Sequence, residues 1–191
     1  MDDYGAVVFD LDGTLLRLAV DWDAVDSAVQ SLIREAGGDP AGCRVWELLD
    51  DAAALGVVGD VEAVVSEHER AGVDSSRRLP LADAVHDLSV PVGVCSLNCE
   101  QAVREALSHH GLLDAVDAVV GRDSVPGRKP DPEPLLRTIE ELAVAPGRVL
   151  FVGDSESDQL TADRAGVTFS YVDEVTETTV AVDAEDVLDR R

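Results

Sequence analysis

The stretch VVFDLDGTLL, Val7–Leu16, constrains the fold more than any other. Its apolar, β-branched start predicts a buried strand over Ala6–Phe9. Asp10 and Asp12 follow with one residue between them, so in an extended chain both point to the same side. Two such close carboxylates repel each other unless a cation offsets their charge, and Mg²⁺ prefers oxygen ligands. An ordinary Asp-Gly turn is the alternative explanation.

Other short apolar runs also predict strands. They are Val90–Cys95, Ala115–Val120, Val149–Val152, Thr168–Val172 and, more weakly, Thr179–Val182. Between the later runs lie helical patterns: one has an Asn98 cap and a Gly111 stop, and another has prolines near its start. Strands that alternate with helices predict an α/β fold, a Rossmann-like parallel sheet with helices on both faces.

One region departs from this alternation. Residues 17–79 contain three amphipathic helical patterns, each ending near a glycine, and no convincing strand. We therefore expect a core domain made of residues 1–16 and 80–191, and a small all-helical cap domain made of residues 17–79. An insert at this point of the chain lies at the mouth of the sheet, where open α/β folds bind ligands.

Two further stretches place polar groups after predicted strands. Ser96 follows the run that ends at Cys95, and Leu97 and Asn98 lead into a helix. A hydroxyl and free backbone N–H groups there can hold a phosphate, although a simple helix cap explains the same residues. Lys129 is the chain's only lysine and lies in the proline-rich stretch GRKPDPEP. Its ammonium group suits a phosphoryl oxygen or a carboxylate.

A pair of acids ends the next strand. Asp154 follows the apolar run VLFVG, and Asp158 lies four residues further on, in the first turn of a helix. Acids near a helix N-terminus are favoured by the helix dipole, which is the alternative explanation. All four polar stretches, however, stand at the carboxyl ends of predicted strands, where α/β enzymes build their active sites.

The composition limits the partners and the compartment. The net charge is −24, from 39 acidic and 15 basic residues. Such a surface repels nucleic acid and anionic membranes, so we expect neither as a partner. The lack of a long apolar run or an export signal, and the low cysteine count, indicate a cytoplasmic protein. Abundant acids with one lysine are typical of a salt-accumulating halophile, in which molar salt screens the repulsion.

With these stretches in place, the chain resembles the haloacid dehalogenase (HAD) superfamily of phosphohydrolases. It is most similar to phosphoglycolate-phosphatase-like members with a small helical cap. The resemblance rests on DLDGT, the serine of CSLN, the lysine of RKPDPEP and the acids of GDSESD. It extends to about Val172.

The resemblance implies a role for each matching residue. Asp10 would be the nucleophile that forms an aspartyl phosphate, and Asp12 the general acid and base. Lys129 would act in catalysis and in binding the phosphoryl oxygens, together with Ser96.

The other implied roles concern phosphate and metal binding. Leu97 and Asn98 would complete the phosphate-binding segment. Mg²⁺ would be held by Asp10, by the backbone carbonyl of Asp12, and by Asp154 and Asp158. Gly13 and Thr14 belong to the first stretch without a settled duty.

The expected reaction is Mg²⁺-dependent hydrolysis of a small phosphorylated metabolite, with phosphoglycolate, sugar phosphates and nucleoside monophosphates as candidates. An acid at position 12 favours phosphate chemistry over dehalogenation, because only the former must protonate a leaving oxygen. Two alternatives stay open: a phosphomutase of the β-phosphoglucomutase type, and a non-catalytic phosphate-binding relative. We expect a monomer or a homodimer.

Overall fold

The computed structural model describes residues 4–175, which include seven strands. In chain order they are β1 (Ala6–Phe9), β2 (Leu16–Arg17), β3 (Arg77–Arg78), β4 (Val92–Cys95), β5 (Ala118–Val120), β6 (Val149–Gly153) and β7 (Thr168–Tyr171). The α-helices are α1 (Trp22–Glu35), α2 (Leu49–Leu55), α3 (Val58–Ala71), α4 (Glu100–His109), α5 (Glu133–Glu141) and α6 (Glu156–Ala165). The predicted strand at Thr179–Val182 lies outside the described residues.

Five of the strands form one parallel sheet in the order β5-β4-β1-β6-β7. The predicted fold class, a Rossmann-like α/β sheet flanked by helices, is confirmed. Strand β1 lies in the middle, with Phe9 opposite Val94 on one side and Val152 on the other. Because the strands are parallel, the residues that follow β1, β4 and β6 emerge at one edge of the sheet.

Apolar side chains from α5 and α6 bury part of the sheet. Leu135 and Ile139 of α5 and Ala162 of α6 pack in one cluster with Val8 and Phe151 of the central strands. Helix α5 approaches β4 closely at Gly93, where a Cβ would come within 2.6 Å of Thr138 Cγ2. This packing fixes the central strands, and with them the polar residues at their ends.

Several predicted bounds differ from the observed ones. Strand β4 begins at Val92 and not at Val90, because Pro91 precedes it, and its neighbour β5 begins only at Ala118, after a 3₁₀ turn at Leu113–Ala115. Strand β6 extends one residue further, to Gly153.

The region expected to be free of strands holds the short antiparallel pair of β2 and β3, with Leu16 opposite Arg78. The helix-cap prediction for Asn98 was also wrong: Cys99 is the N-cap of α4, and Asn98 bonds to Ser96 instead.

Contacts divide the chain into two units, Met1–Leu18 with Ser76–Arg191, and Ala19–Ser75. The second unit contains α1, α2 and α3 and has its own apolar core, to which α1 contributes Val25, Val29 and Ile33. Its middle helical pattern is split into a 3₁₀ turn at Val45–Glu47 and helix α2.

Across residues 4–175, every helix is too short or too polar to cross a lipid bilayer.

Candidate active site

The carboxyl ends of the three central strands carry the polar residues singled out above. Asp10 follows β1, Ser96 follows β4 and Asp154 follows β6. Since β1 is hydrogen-bonded to both of the other strands, Asp10 lies between the two flanking segments. The backbone continues this arrangement past the strand end, because Asp10 N donates to Val152 O (2.9 Å).

The lone lysine is buried at the centre of this edge. Lys129 Nζ lies 2.8 Å from Asp10 Oδ1 and 2.5 Å from Asp158 Oδ1. It also donates to the Cys95 carbonyl oxygen (3.2 Å) at the end of β4. All three charged side chains are buried, so the lysine neutralises carboxylates that water does not reach. The loop after β5 thus joins the segments that follow β1, β4 and β6.

Burial and charge shift the titration of these groups. Desolvation raises the pKa of Asp10 to about 7; Lys129 opposes this shift and Asp158 adds to it. Burial works against the charged form of Lys129, but Asp10 and Asp158 outweigh it and raise the lysine pKa. The pKa of Asp154 is also raised, first by burial and then by Asp158. One ammonium group therefore only partly offsets the acidic cluster.

Helix α6 places Asp158. Its N-cap, Ser155, accepts a hydrogen bond from Asp158 N (3.2 Å), and the Ser155 hydroxyl and N–H both donate to Asp158 Oδ2. This capping box fixes the carboxylate against the first turn. Gly153 makes room for it, because a Cβ there would lie 2.6 Å from Asp158 Cβ. The other oxygen of Asp158 stays directed at Lys129.

Asp154 packs against the first polar stretch, DLDGT. A Cβ on Gly13 would overlap the Asp154 carboxylate, and Gly13 has a φ of +95°, which side-chain-bearing residues rarely adopt. The glycine of DLDGT therefore allows the stretches after β1 and β6 to meet.

The acidic cluster fits a divalent cation. One carboxylate oxygen from each of Asp10, Asp154 and Asp158 lies within 4.8 Å of the others. Three carboxylate oxygens, one of them from an exposed residue, are ligands of the kind that a hard cation such as Mg²⁺ binds. A bound cation would also offset burial and, after it, repulsion by Asp158, which together raise the pKa values of Asp10 and Asp154.

Asp12 does not contribute a carboxylate to this group. Its Oδ1 accepts a hydrogen bond from Leu18 N (3.0 Å). The backbone turns between these residues, and Asp12 pairs there with Leu16. Thr14 is buried, and its hydroxyl has no hydrogen-bond partner among the residues that the structure describes. The structure thus brings together four of the predicted residues, Asp10, Lys129, Asp154 and Asp158, while one carboxylate oxygen of Asp12 is bonded to Leu18 N.

A cavity of about 270 Å³ lies beside Gly13, against which the Asp154 carboxylate packs. Its lining residues are Gly13, Thr14, Arg17, Leu79, Pro80, Leu81, Val172, Asp173 and Val175. The positive charge of Arg17 acts on Asp154 and lowers its pKa, against the larger effect of burial. The lining is therefore partly apolar and carries one cation, Arg17, and one acid, Asp173.

The segment after β4 forms a compact turn. Asn98 N donates to Ser96 Oγ (3.2 Å), and Ser96 Oγ donates to Asn98 Oδ1 (3.2 Å). Ser96 N is bonded to Val120 O (3.0 Å), which ties the turn to β5. The turn begins directly after Cys95, whose carbonyl accepts from Lys129, so the predicted phosphate-binding residues adjoin the lysine.

Sequence reasoning missed three residues here: Ser155, Gly153 and Arg122. Ser155 carries a signal in the sequence, because a serine followed three residues later by an acid at a helix start predicts a capping box. Arg122 follows β5 by two residues, and the strand-end argument used for Ser96 would have found it. Nothing in the local sequence shows that Gly153 faces a side chain.

Comparisons with known proteins show the family to which the chain is similar. A family model described as haloacid dehalogenase-like hydrolase matches residues 80–172. A phosphoglycolate phosphatase of Cereibacter sphaeroides is 35% identical over 189 residues, covering 88% of this chain and 84% of that protein. Another, from Rhodospirillum rubrum, is 32% identical, covering 85% of this chain and 76% of that protein.

A solved structure with a similar fold comes from the same group of hydrolases. The crystal structure of a HAD-superfamily hydrolase, subfamily IA, variant 1, from Geobacter sulfurreducens PCA matches with a TM-score of 0.59 and 28% identity. It covers 87% of this chain and 88% of that one. The chain belongs to the family of haloacid dehalogenase-like hydrolases.

Proposed function

We propose that this phosphohydrolase removes the phosphate from a small phosphomonoester, with Mg²⁺ as cofactor and Asp10 as nucleophile. The observation that carries the proposal is the buried ion-pair cluster, in which Lys129 holds Asp10 (2.8 Å) and Asp158 while Asp154 lies within reach of both acids. Phosphoryl transfer depends on positioning and charge neutralisation, and this cluster provides both.

Each side chain has a task in the proposed reaction. A carboxylate oxygen of Asp10 attacks phosphorus, and the bond from phosphorus to the leaving oxygen breaks. Asp12 gives its proton to that oxygen and later accepts one from a water molecule whose oxygen attacks phosphorus. The bond between phosphorus and the Asp10 oxygen then breaks, which releases phosphate and frees Asp10. Lys129 holds Asp10 in place and faces the transferred oxygens together with Ser96 and the turn Leu97–Asn98.

Asp10, Asp154, Asp158 and the backbone carbonyl of Asp12 would hold Mg²⁺, which would supply the positive charge that lets a carboxylate approach an anionic substrate.

Asp12 is held by Leu18 N–H in this structure. That hydrogen bond fixes one carboxylate oxygen, and the proposed reaction uses the carboxyl group of Asp12 as acid and then as base.

We infer a small substrate from the cavity beside Asp154, whose volume is about 270 Å³. The two curated relatives are named phosphoglycolate phosphatases. Phosphoglycolate is a small molecule whose carboxylate is opposite in charge to Arg17 and like in charge to Asp173, the other charged residue of the lining. We also propose that residues 17–79 act as a cap, and that the acidic composition adapts the protein to a high-salt cytoplasm.

The test is phosphate release by the purified chain with Mg²⁺ in molar KCl. The panel is 2-phosphoglycolate, a sugar phosphate, a nucleoside monophosphate and p-nitrophenyl phosphate. We expect turnover of at least one small phosphomonoester. Asp10→Asn should abolish it, while thermal unfolding shows that the fold is retained. Arg137→Gln, on the exposed face of α5, is the matched control and should keep its activity.

Two outcomes would contradict the proposal. The first is a folded wild-type protein that releases no phosphate from any member of the panel. The second is an Asp10→Asn variant that turns over at a rate comparable to that of the wild type, which would remove the nucleophile assignment.

A further inference from the structure

Arg122 is a buried arginine that none of the roles above uses. It lies two residues past β5 and is 5% exposed, the same as Lys129. Among residues 4–175, these two are the only lysine or arginine side chains that are buried. A buried guanidinium group is costly unless its N–H groups find acceptors. Because acids outnumber basic residues in this chain, whose net charge is −24, an arginine could find acidic partners without being buried.

The guanidinium group reaches the turn that follows β4. Arg122 Nη1 donates to Leu97 O (2.7 Å), and Arg122 N donates to Asn98 O (2.9 Å). The side chain and the backbone of Arg122 therefore donate hydrogen bonds to two successive carbonyl oxygens. The contact is tight, because a Cβ on Gly121 would overlap the backbone of Glu100. The loop after β5 thus lies directly against the segment 97–100.

The side-chain hydrogen bond of Arg122 acts on the peptide group between Leu97 and Asn98. The carbonyl of this peptide accepts from Arg122, and its N–H donates to Ser96 Oγ (3.2 Å). A cation on the carbonyl polarises the peptide, which strengthens the N–H as a donor. It also fixes the plane of the peptide, and with it the direction of the Ser96 hydroxyl.

We propose that Arg122 is a positioning residue for the phosphate-binding turn 96–98. It orients the Ser96 hydroxyl through the Leu97–Asn98 peptide and places a positive charge behind the turn. The inference rests on the proposed function, because it assumes that the turn receives the phosphoryl group. Arg122 itself does not touch the substrate; it raises the affinity of the turn for phosphate oxygens.

The experiment compares Arg122→Ala, Arg122→Gln and Arg122→Lys with the wild type, using p-nitrophenyl phosphate and Mg²⁺. Removal of a charged hydrogen-bond donor predicts a fall in kcat/KM of about 10- to 100-fold for the Ala and Gln variants. The inhibition constant for inorganic phosphate should rise by a similar factor. Lysine keeps the charge but not the planar fork, so Arg122→Lys should lie in between.

Chemical rescue separates positioning from a structural role. Guanidinium chloride at tens of millimolar, too dilute to unfold the protein, should restore part of the activity of Arg122→Ala. It should not help Ser96→Ala, which lacks the hydroxyl that Arg122 orients. Arg137→Ala, which removes an exposed arginine paired with Glu141, should behave like the wild type throughout.

The inference is overturned if Arg122→Ala is folded and its kinetic and inhibition constants stay within twofold of the wild type. It is also overturned if all three variants lose activity equally and guanidinium restores none. If Arg122→Ala does not fold, Arg122→Lys decides by its phosphate inhibition constant. Calorimetric titration with inorganic phosphate tests the turn without turnover, so an inactive wild type counts against the proposed function and not against this inference.

Discussion

Asp10 combines burial with charge, and this sets how the fold responds to pH. Its carboxyl is shielded from water and faces Asp158, and Lys129 compensates only in part, so its pKa is raised from 3.8 to about 7. Between these two values the folded state holds a proton that the unfolded state has lost. The free energy of unfolding therefore decreases as the pH rises from about 4 to about 7.

We predict that this decrease is specific to Asp10 and is relieved by metal. Without divalent cations, urea unfolding should show a steeper loss of stability from pH 4 to pH 7 in the wild type than in Asp10→Asn. Mg²⁺ should stabilise the wild type more at pH 7.5 than at pH 5, because protons and the cation compete for the same carboxylates. Equal slopes in the two proteins would show that Asp10 does not keep its proton.

Gly13 is the residue at which two segments of the site meet, and its replacement has a defined cost. Gly13→Ala places a methyl group on the Asp154 carboxylate in a backbone conformation unfavourable to alanine. A displacement of about 1 Å in a catalytic group reduces turnover about 100-fold, which is the loss we predict in kcat together with weaker Mg²⁺ binding.

Gly111→Ala is the matched control for this variant. Gly111 also has a positive φ, +68°, but a Cβ there meets nothing within 4 Å. This variant should lose only about 1 kcal/mol of stability and keep its kinetics. Equal losses of activity in both variants would mean that backbone strain, and not the Asp154 contact, is responsible.

The sequence identifies the residues of the site better than it predicts where their side chains point. Lys129 could be found because composition makes it unique, and Asp154 because an acid ends an apolar strand. The alternation of a strand suggested that Asp10 and Asp12 share a side. The chain turns directly after β1, and Asp12 Oδ1 accepts a hydrogen bond from Leu18 N, which alternation could not predict. Side-chain direction beyond a strand end depends on the turn, which alternation does not describe.

Helix α6 connects its own capping to the geometry of the acidic cluster. Ser155→Ala should cost about 1 kcal/mol of stability, because the N-cap hydroxyl is lost. It should also weaken Mg²⁺ binding about 10-fold, because Asp158 Oδ2 loses its hydroxyl partner. Calorimetric titration with Mg²⁺ and urea unfolding measure the two effects.

Asp21→Ala provides the control at the start of α1, where Asp21 caps Ala24 N (3.0 Å) in the three-helix unit. It should lose similar stability without a change in Mg²⁺ affinity. A Ser155→Ala variant with wild-type affinity for Mg²⁺ would show that the cap does not orient Asp158.

Among the elements, the long helices and apolar strands of residues 4–175 were predictable, and the short pieces were not. Periodicity gives α1, α3 and α5 within a few residues. Strands β2 and β3 contain two residues each, too few for any period to appear, and they exist because the chain pairs with itself there. Pro91 could have been used to predict the later start of β4, since proline has no N–H to donate to a sheet.

For the molecule as a whole, the net charge of −24 predicts a dependence on salt. Repulsion between carboxylates favours the expanded chain, and the screening length falls from about 10 Å at 0.1 M salt to about 3 Å at 1 M. We expect the Tm to rise between 0.1 and 2 M KCl. A variant with several exposed acids changed to amides should show a smaller rise. A Tm independent of KCl would refute the high-salt proposal.

The class of fold followed from the sequence, but the order of the strands did not. Alternating strands and helices predict parallel neighbours, and several strand orders satisfy that rule. Which order forms depends on contacts between distant segments, such as the pairing of β1 with both β4 and β6. The position of Asp10 between its partners is therefore a property of the assembled sheet.

The enclosure of Lys129 has a practical consequence for protein chemistry. This is the only side-chain amine in the chain, and in the folded protein it is buried and bonded to two carboxylates. Amine-directed reagents, such as succinimidyl esters, will find it only when the sheet edge opens. The extent of acylation at this single position therefore provides a direct count of molecules that have opened, with no background from other lysines.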